Sequence, residues 1–458
     1  MKILHIRCCH QGWFWLNYNM SEKAVAAVPA CRESAGMLVY MIKRSGTLKE
    51  FPGYHTFPWD EIKKTEAGPP SNAALSRMTT GQLGFDLDRA RESGKIKQVT
   101  HLGTAPLLDF RPFGRVTHFY LIELEEQIPF EVDTEKIGRG EWNTPAEFVR
   151  RYERGEMLVL PAALHLLRML RHGKASITLS GFDLSGDREN EVPYIEPLAG
   201  IYQLIHRSLI LPPGHRTNCF IIGDGGGQRL AIDPSPANKK EYRRMANTLK
   251  KFGVTHIFIT HHHPDHLNRA PRLARDLSLP VIMSPNSHQR LLRKRGRGYF
   301  KKIDIKFARE GDRLGHWLGQ PVRVYEVPGH DEGQLALAPD TMAWFLAGDL
   351  IQGAGTVVIP TREGDMARYF RTLERIIGLN PGVILPSHGQ VLGSVESLKK
   401  TLVHRKHREA QILHLYQKGV TPRRMVKIIY GNANRLTRWL ALENIKSHLK
   451  KLHQDQKI

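Results

Sequence analysis

Seven consecutive residues constrain this chain most: Thr260-His261-His262-His263-Pro264-Asp265-His266. They follow Val254–Ile259, a run of β-branched and aromatic residues that reads as a buried strand. The histidines therefore sit on a loop at the carboxyl end of a strand, where α/β folds tend to place their sites. In an extended segment, residues i and i+2 point the same way. His261 and His263 can thus bind one metal ion through ring nitrogens, Pro264 stiffens the turn, and Asp265 and His266 face a second ion. Imidazole with carboxylate suits Zn2+, and also Mn2+ or Fe2+. Four histidines, a proline and an aspartate in six positions weigh against a surface turn that is His-rich by chance.

A two-metal site needs about six or seven ligands, so more must follow. Downstream, three apolar strand-like runs each end in ligand-type residues. Val322–Val327 leads to Pro328-Gly329-His330, Trp344–Ala347 to Gly348-Asp349, and Val383–Leu385 to Pro386-Ser387-His388-Gly389. Upstream, Arg229–Ile232 leads into Asp233-Pro234. This order resembles the five-motif pattern of the metallo-β-lactamase fold, an α/β protein built as an αββα sandwich, from about Tyr202 to Leu392. The resemblance implies that His261, His263 and His330 bind one metal ion. It implies that Asp265, His266 and His388 bind the second, that Asp349 bridges both, and that Asp233 braces the histidine loop. The implied activity is hydrolysis. Two divalent ions close together hold a bridging hydroxide at neutral pH and polarise the scissile group. Asp265 or Asp349 can take the proton as the leaving group departs.

The remaining sequence suggests three further parts. Residues 20–172 read as a separate α+β domain whose element order resembles a Nudix hydrolase domain. Its helix, however, carries Arg77-Met78-Thr79-Thr80-Gly81-Gln82 where that family has magnesium-binding glutamates. This domain is expected to be catalytically dead and kept for binding or docking. Residues 173–197 read as a polar linker, residues 198–400 as the metallo-β-lactamase-fold catalytic domain, and Asn218 as the start of its first hairpin. Residues 401–458 read as three short helices with a basic exterior, a small winged-helix-like module; a lid packed on the catalytic domain is the plainer alternative. Met1–Asn19 is expected to be a disordered extension.

Charge bears on the partner. The chain carries +22, and the excess is clustered. Residues 290–306 hold eight Lys/Arg against one Asp, and residues 401–458 hold thirteen against three acids. Arg290, Arg293, Lys294, Arg295, Arg423, Arg424 and Lys427 are therefore candidate nucleic-acid contacts. Four cysteines without a C-x-x-C motif fit a reducing cytoplasm, and no apolar run nears the ~18 residues of a membrane span. Val426–Tyr430, Ala441-x-x-Asn444, His448–Leu452 and Gly348–Thr356 resemble the beta-lactamase-like protein 2 family, whose animal members cut single-stranded RNA. Asp331 departs from that family, which often has Thr-Pro-Gly after the histidine. The favoured substrate is a phosphodiester of single-stranded RNA. A small-molecule thioester or ester, as in glyoxalase II relatives, is the rival, and a non-enzymatic nucleotide- or RNA-binding protein is the third possibility.

Overall fold

A computed structural model describes residues 22–34, 36–66, 72–107, 115–172, 179, 189–210, 216–353 and 356–458. The expected extension Met1–Asn19 and most of the expected linker lie outside these residues.

The N-terminal part is α+β. Its strands are β1 (Glu22–Glu33), β2 (Gly36–Arg44), β3 (His55–Thr56), β4 (Trp59–Glu61), β5 (Ile96–Leu107), β6 (Arg115–Leu124) and β7 (Ile137–Asn143). They form one mixed sheet along the path β3-β2-β1-β6-β5, with β4 on β1 and β7 on β2. Alternation along β1 explains the layers. Ala24, Ala26, Val28 and Ala30 face α3 (Pro145–Glu153) and α4 (Pro161–Arg171). Val25, Ala27 and Cys31 face α1 (Asn72–Leu83) and α2 (Leu87–Glu92). Arg77 on α1 is held by Asp60 and Glu66, each at 2.6 Å.

The central part stacks two sheets. The first runs β14-β13-β12-β11-β10-β9-β8, with β8 Tyr194–Leu198, β9 Ile201–Arg207, β10 Arg216–Ile222, β11 Leu230–Ile232, β12 His256–Phe258, β13 Val281–Met283 and β14 Ile305–Phe307. The second runs β15 (Arg313–Trp317), β16 (Gln320–Glu326), β17 (Leu335–Pro339), β18 (Trp344–Gly348), β19 (Val383–Pro386). Phe220, Ile232, Phe258 and Ile282 meet Val324, Leu337, Leu346 and Leu385 between the sheets. Ile257 and Val281 face outward to α5 (Lys239–Lys251), α7 (Ala270–Asp276) and α8 (Pro285–Arg295), while the single turn α6 (Pro264–Leu267) carries part of the histidine loop. Phe345 and Ile384 face α9 (Met366–Leu379) and the start of α10 (Glu396–Gln417). This is the expected αββα sandwich.

Three expectations change. The first sheet begins at Tyr194, inside the expected linker, and its first hairpin is β8–β9 rather than the one starting at Asn218. Leu179 and Val192 of that stretch are also buried, while Glu189 and Asn190 are exposed. α10 starts at Glu396 and crosses the expected boundary at residue 400, because Leu398 anchors its first turns in the sandwich core. The C-terminal module is α10 with α11 (Pro422–Tyr430) and α12 (Arg435–Gln454), closed around Ile412, Met425, Ala441 and Ile445. It has no strand among the described residues, so it lacks the hairpin that makes a wing. It packs on the sandwich as a cover. No described helix is long and apolar enough to cross a membrane.

The N-terminal part and the sandwich share one apolar core. Trp317 fills it, with its ring nitrogen donating to Ala199 O at 2.8 Å. A second seam joins loop 46–54 to the chain after His388. Phe51 N donates to Gln390 Oε1 at 2.8 Å, and Gly393 N to Pro52 O at 2.8 Å. Gly53, at φ +72°, lies so close that an added Cβ would sit 2.4 Å from Gly393 O. Gly53→Ala should cost about 2–4 kcal/mol, summing left-handed strain and backbone overlap. Thermal unfolding should show it melting well below Gly226→Ala, whose glycine also has positive φ but opens to solvent. Equal melting temperatures would show that the seam carries no load.

Candidate metal centre

The site lies where strand ends of both sheets meet. β11 ends at Ile232, and Asp233 follows with φ +53°, a conformation rare for a non-glycine residue. The strain is held in place by three hydrogen bonds into a fully buried carboxylate. Oδ1 accepts from Thr260 N at 2.8 Å. Oδ2 accepts from Thr260 Oγ1 at 2.6 Å and from His266 Nδ1 at 2.8 Å. The loop after β12 is thereby fixed along its length.

Each of five histidines has one ring nitrogen tied outward. Thr260 Oγ1, already donating to Asp233, accepts from His261 Nδ1 at 3.0 Å. Glu363 Oε2 accepts from His263 Nε2 at 3.0 Å. Val358 O accepts from His330 Nδ1 at 2.7 Å, and Arg216 O from His388 Nδ1 at 3.2 Å. Asp233 takes His266 Nδ1 as above. A carbonyl or carboxylate can only accept, so the proton is on the outer nitrogen. The inner nitrogens are then the ones that can serve as ligand atoms, once any second proton on the ring is displaced.

Those inner atoms form two groups. His263 Nδ1 lies 3.0 Å from His261 Nε2 and 2.9 Å from His330 Nε2. Asp265 Oδ2 lies 3.7 Å from His266 Nε2 and 3.4 Å from His388 Nε2. Asp349, at the end of β18, stands between them. Its Oδ2 is 3.6 Å from His330 Nε2, and its Oδ1 is 3.6 Å from His266 Nε2 and 3.3 Å from His388 Nε2. A pair of divalent cations fits this arrangement. Three imidazole nitrogens converge in the first group, and the buried His266 Nε2 and Asp349 Oδ1 have no hydrogen-bond partner among the described residues. Buried polar atoms are rarely left so. The electrostatics agree. Burial would raise the Asp349 carboxyl, but His388 and His266 outweigh it and hold it well below its usual range. Burial would lower His388, but Asp349 and Asp265 push it up to about 9. Burial and His263 lower His330 to about 4.

Several residues here had no strand-end signature. Glu363, which also stands 3.4 Å from His262 Nε2, comes from a loop a hundred residues away. Buried Asp331 meets His262 Nδ1 at 2.8 Å. This accounts for the aspartate that departs from the family pattern after His330. The basic residues fare unevenly as nucleic-acid contacts. Arg290 pairs with Glu332 at 2.7 Å and lies 3.9 Å from Asp331, so it also supports the His330 loop. Arg293, Lys294, Arg295, Arg423, Arg424 and Lys427 are exposed.

Residues 212–388 match the Metallo-beta-lactamase superfamily, a span that contains all seven cluster residues. The sandwich is therefore a metallo-β-lactamase fold. The chain is homologous to a beta-lactamase-like protein 2 homolog of Caenorhabditis elegans, 26% identical over 272 residues, 57% of this chain and 88% of that protein. It is 25% identical over 305 residues to an atrochrysone carboxyl ACP thioesterase of Claviceps purpurea, 63% of this chain and 93% of that one. It is 28% identical over 169 residues to a hydroxyacylglutathione hydrolase of Bdellovibrio bacteriovorus, 36% of this chain and 60% of that one.

His388 and His266, both raised above neutrality, hold protons that a cation must displace. Loading metal-free protein at pH 7 should release about two protons per chain. Zinc titrations by calorimetry, in buffers of different ionisation enthalpy, would count them. Uptake without proton release would show that these histidines are already neutral in the metal-free protein.

Proposed function

We propose that the protein is a dinuclear metal-dependent hydrolase, with zinc as the ion, that cleaves a phosphodiester in single-stranded RNA. The observation that carries the hydrolase reading is Asp349 between the two groups, with one carboxylate oxygen toward each. When bound, two divalent ions supply Lewis acidity and activate water at neutral pH. The protein's residues do the rest. The outward hydrogen bonds fix the five rings. Asp265, the more exposed of the two carboxylates, is placed to accept the proton released by the attacking water and to pass it to the departing atom. Its backbone is pinned by Thr217 Oγ1, which donates to Asp265 O at 3.0 Å, and by Ser235.

For the substrate, the support is a basic groove that the sequence pattern did not single out. Arg368, Arg371 and Arg375 line one face of α9 together with Thr372 and Pro328. Thr372 Oγ1 donates to Pro328 O at 2.7 Å, and Pro328 leads directly into His330. Arg375 is paired with Glu310, whereas Arg368 and Arg371 have no acidic partner among the described residues. A phosphate backbone arriving at His330 would meet both. The N-terminal domain, which we read as a Nudix-like fold without its magnesium site, would serve for docking, and the cytoplasm is the proposed location.

A second reading is thioester hydrolysis. Two of the homologous proteins carry thioesterase or acylglutathione hydrolase names. In addition, Leu209 is 54% exposed, next to Ser208, whose hydroxyl lies 2.7 Å from Thr217 Oγ1. An exposed apolar side chain on the segment tied through Thr217 to the Asp265 backbone suits an acyl group.

Two measurements separate these. Elemental analysis should find two ions in the wild type and loss of metal in Asp349→Ala. Asp265→Ala should bind single-stranded RNA without cutting it. Its affinity should fall with salt at a log–log slope of about 0.7 per phosphate contact. Adding Arg368→Gln and Arg371→Gln should make that slope shallower by about 1.4. A flat salt response, with RNA left intact by a wild type that turns over a thioester, would replace the first reading by the second.

A further inference from the structure

The hydrolase reading leaves one feature of the centre without a role: the loop 357–364 and what grips it from outside. This loop holds two of the three first-group histidines. Its Val358 O accepts from His330 Nδ1 at 2.7 Å, and its Glu363 Oε2 accepts from His263 Nε2 at 3.0 Å. The other oxygen of Glu363 lies 3.4 Å from His262 Nε2, and His262 is itself fixed by Asp331 at 2.8 Å. Both carboxylate oxygens are therefore engaged, which sets the plane from which His263 is oriented.

The loop has no regular structure, so it does not hold this shape through its own backbone. On one side it leans on the His330 loop. Glu332 N donates to Glu363 O at 3.1 Å, and Asp365 N to Gly329 O at 2.8 Å. Gly364 packs so closely there that an added Cβ would lie 2.5 Å from Gly329 O. On the other side every polar anchor comes from the C-terminal helices. Buried Arg405 of α10 donates to Val357 O. Asn444 of α12, also buried, accepts from Ile359 N at 2.9 Å. Glu443 accepts from Thr361 Oγ1 at 2.9 Å. The two helices are tied to each other by Glu409, which meets His448 at 3.2 Å and Lys451 at 2.8 Å.

We propose that Glu363 is a positioning residue for His263, and that α10 and α12 hold it in place, so that the C-terminal helices set the affinity of the first histidine group for its ion. This rests on the two-metal reading above. It gives the basic C-terminal segment a task inside the centre, through Asn444, Glu443 and Arg405, that is separate from any contact its exposed face makes with a partner.

The test is metal binding by the metal-free full chain, titrated with Zn2+ against a chromophoric chelator. Wild type should take up two ions. Glu363→Ala should bind one of them about 10–100-fold more weakly, with the other unchanged. Glu363→Gln keeps an acceptor oxygen for His263 and should restore most of the loss, which a purely structural defect would not allow. Asn444→Ala with Glu443→Ala should weaken the same ion, by about tenfold. Thr361→Val, a milder change at the same anchor, should move it in the same direction if the double variant does not fold. Wild-type affinity for both ions in Glu363→Ala would overturn the proposal while leaving the two-metal reading intact. Weakening in Glu363→Ala with none in the helix variants would overturn the role of the helices. A wild type that binds no ion would remove the two-metal reading and this proposal together.

Discussion

Everything at the centre depends on one buried carboxylate. Asp233 is fully enclosed and accepts three hydrogen bonds, two from Thr260 and one from His266. An ionised carboxylate without such partners would be costly to bury. With them it becomes a rigid hub. Through Thr260 it sets the outer nitrogen of His261, and directly it sets that of His266, so one residue orients a histidine in each group. Its left-handed backbone is the local strain that this arrangement maintains. Removing the side chain would leave Thr260 and His266 without their acceptor and Asp233's φ without a reason.

A hub on one sheet cannot by itself build a site from two. Of the seven cluster residues, His261, His263, Asp265 and His266 follow β12 in the first sheet, while His330, Asp349 and His388 follow strands of the second. The sheets are cross-linked at the same end. Leu335 N donates to Thr260 O at 2.9 Å, Asn218 N to Ser387 O at 2.7 Å, and the Asn218 side chain to Pro386 O at 2.9 Å and Gly389 O at 2.8 Å. These bonds fix the spacing between the groups, because each joins a residue beside one ligand to a strand of the opposite sheet.

How much of this was legible in the sequence follows from how local each signal is. The sandwich and the cluster were legible because each cluster residue lies on the loop that follows an apolar strand, so strand pattern and chemistry coincide within a few residues. Glu363, Asp331 and Asn444 were not, because each is a single polar residue whose partner is distant in sequence; Asn444 appeared in a quoted motif without a role. Arg290 differs from its neighbours for the same reason: a Lys/Arg run shows charge, while the acid that pairs with one member, Glu332, lies 42 residues on. The linker was drawn too long because Tyr194–Leu198 is a short edge strand with a proline, a weak strand signal. Helix spacing and a basic exterior suggest a wing, but neither reports whether a hairpin follows.

The appended parts are then easier to understand as supports than as passengers. His388 lies on a loop whose next polar residue, Gln390, is bonded to loop 46–54 of the N-terminal domain through Phe51 and Lys49. His330 and His263 lean on loop 357–364, which the C-terminal helices grip. Each flanking part thus abuts a different group of ligands, one on each side of Asp349. A ligand loop supported only from within the sandwich would depend on its own backbone, and loops are the least stable elements of a fold. Support from outside removes that freedom before any ion arrives, and a preformed site does not have to order its loops on binding. On this view the boundaries drawn by composition, at residues 198 and 401, cut through the scaffold of the centre, and a segment trimmed to them would keep all seven cluster residues and their direct partners while losing the outside contacts to the loops that carry or aim His263, His330 and His388.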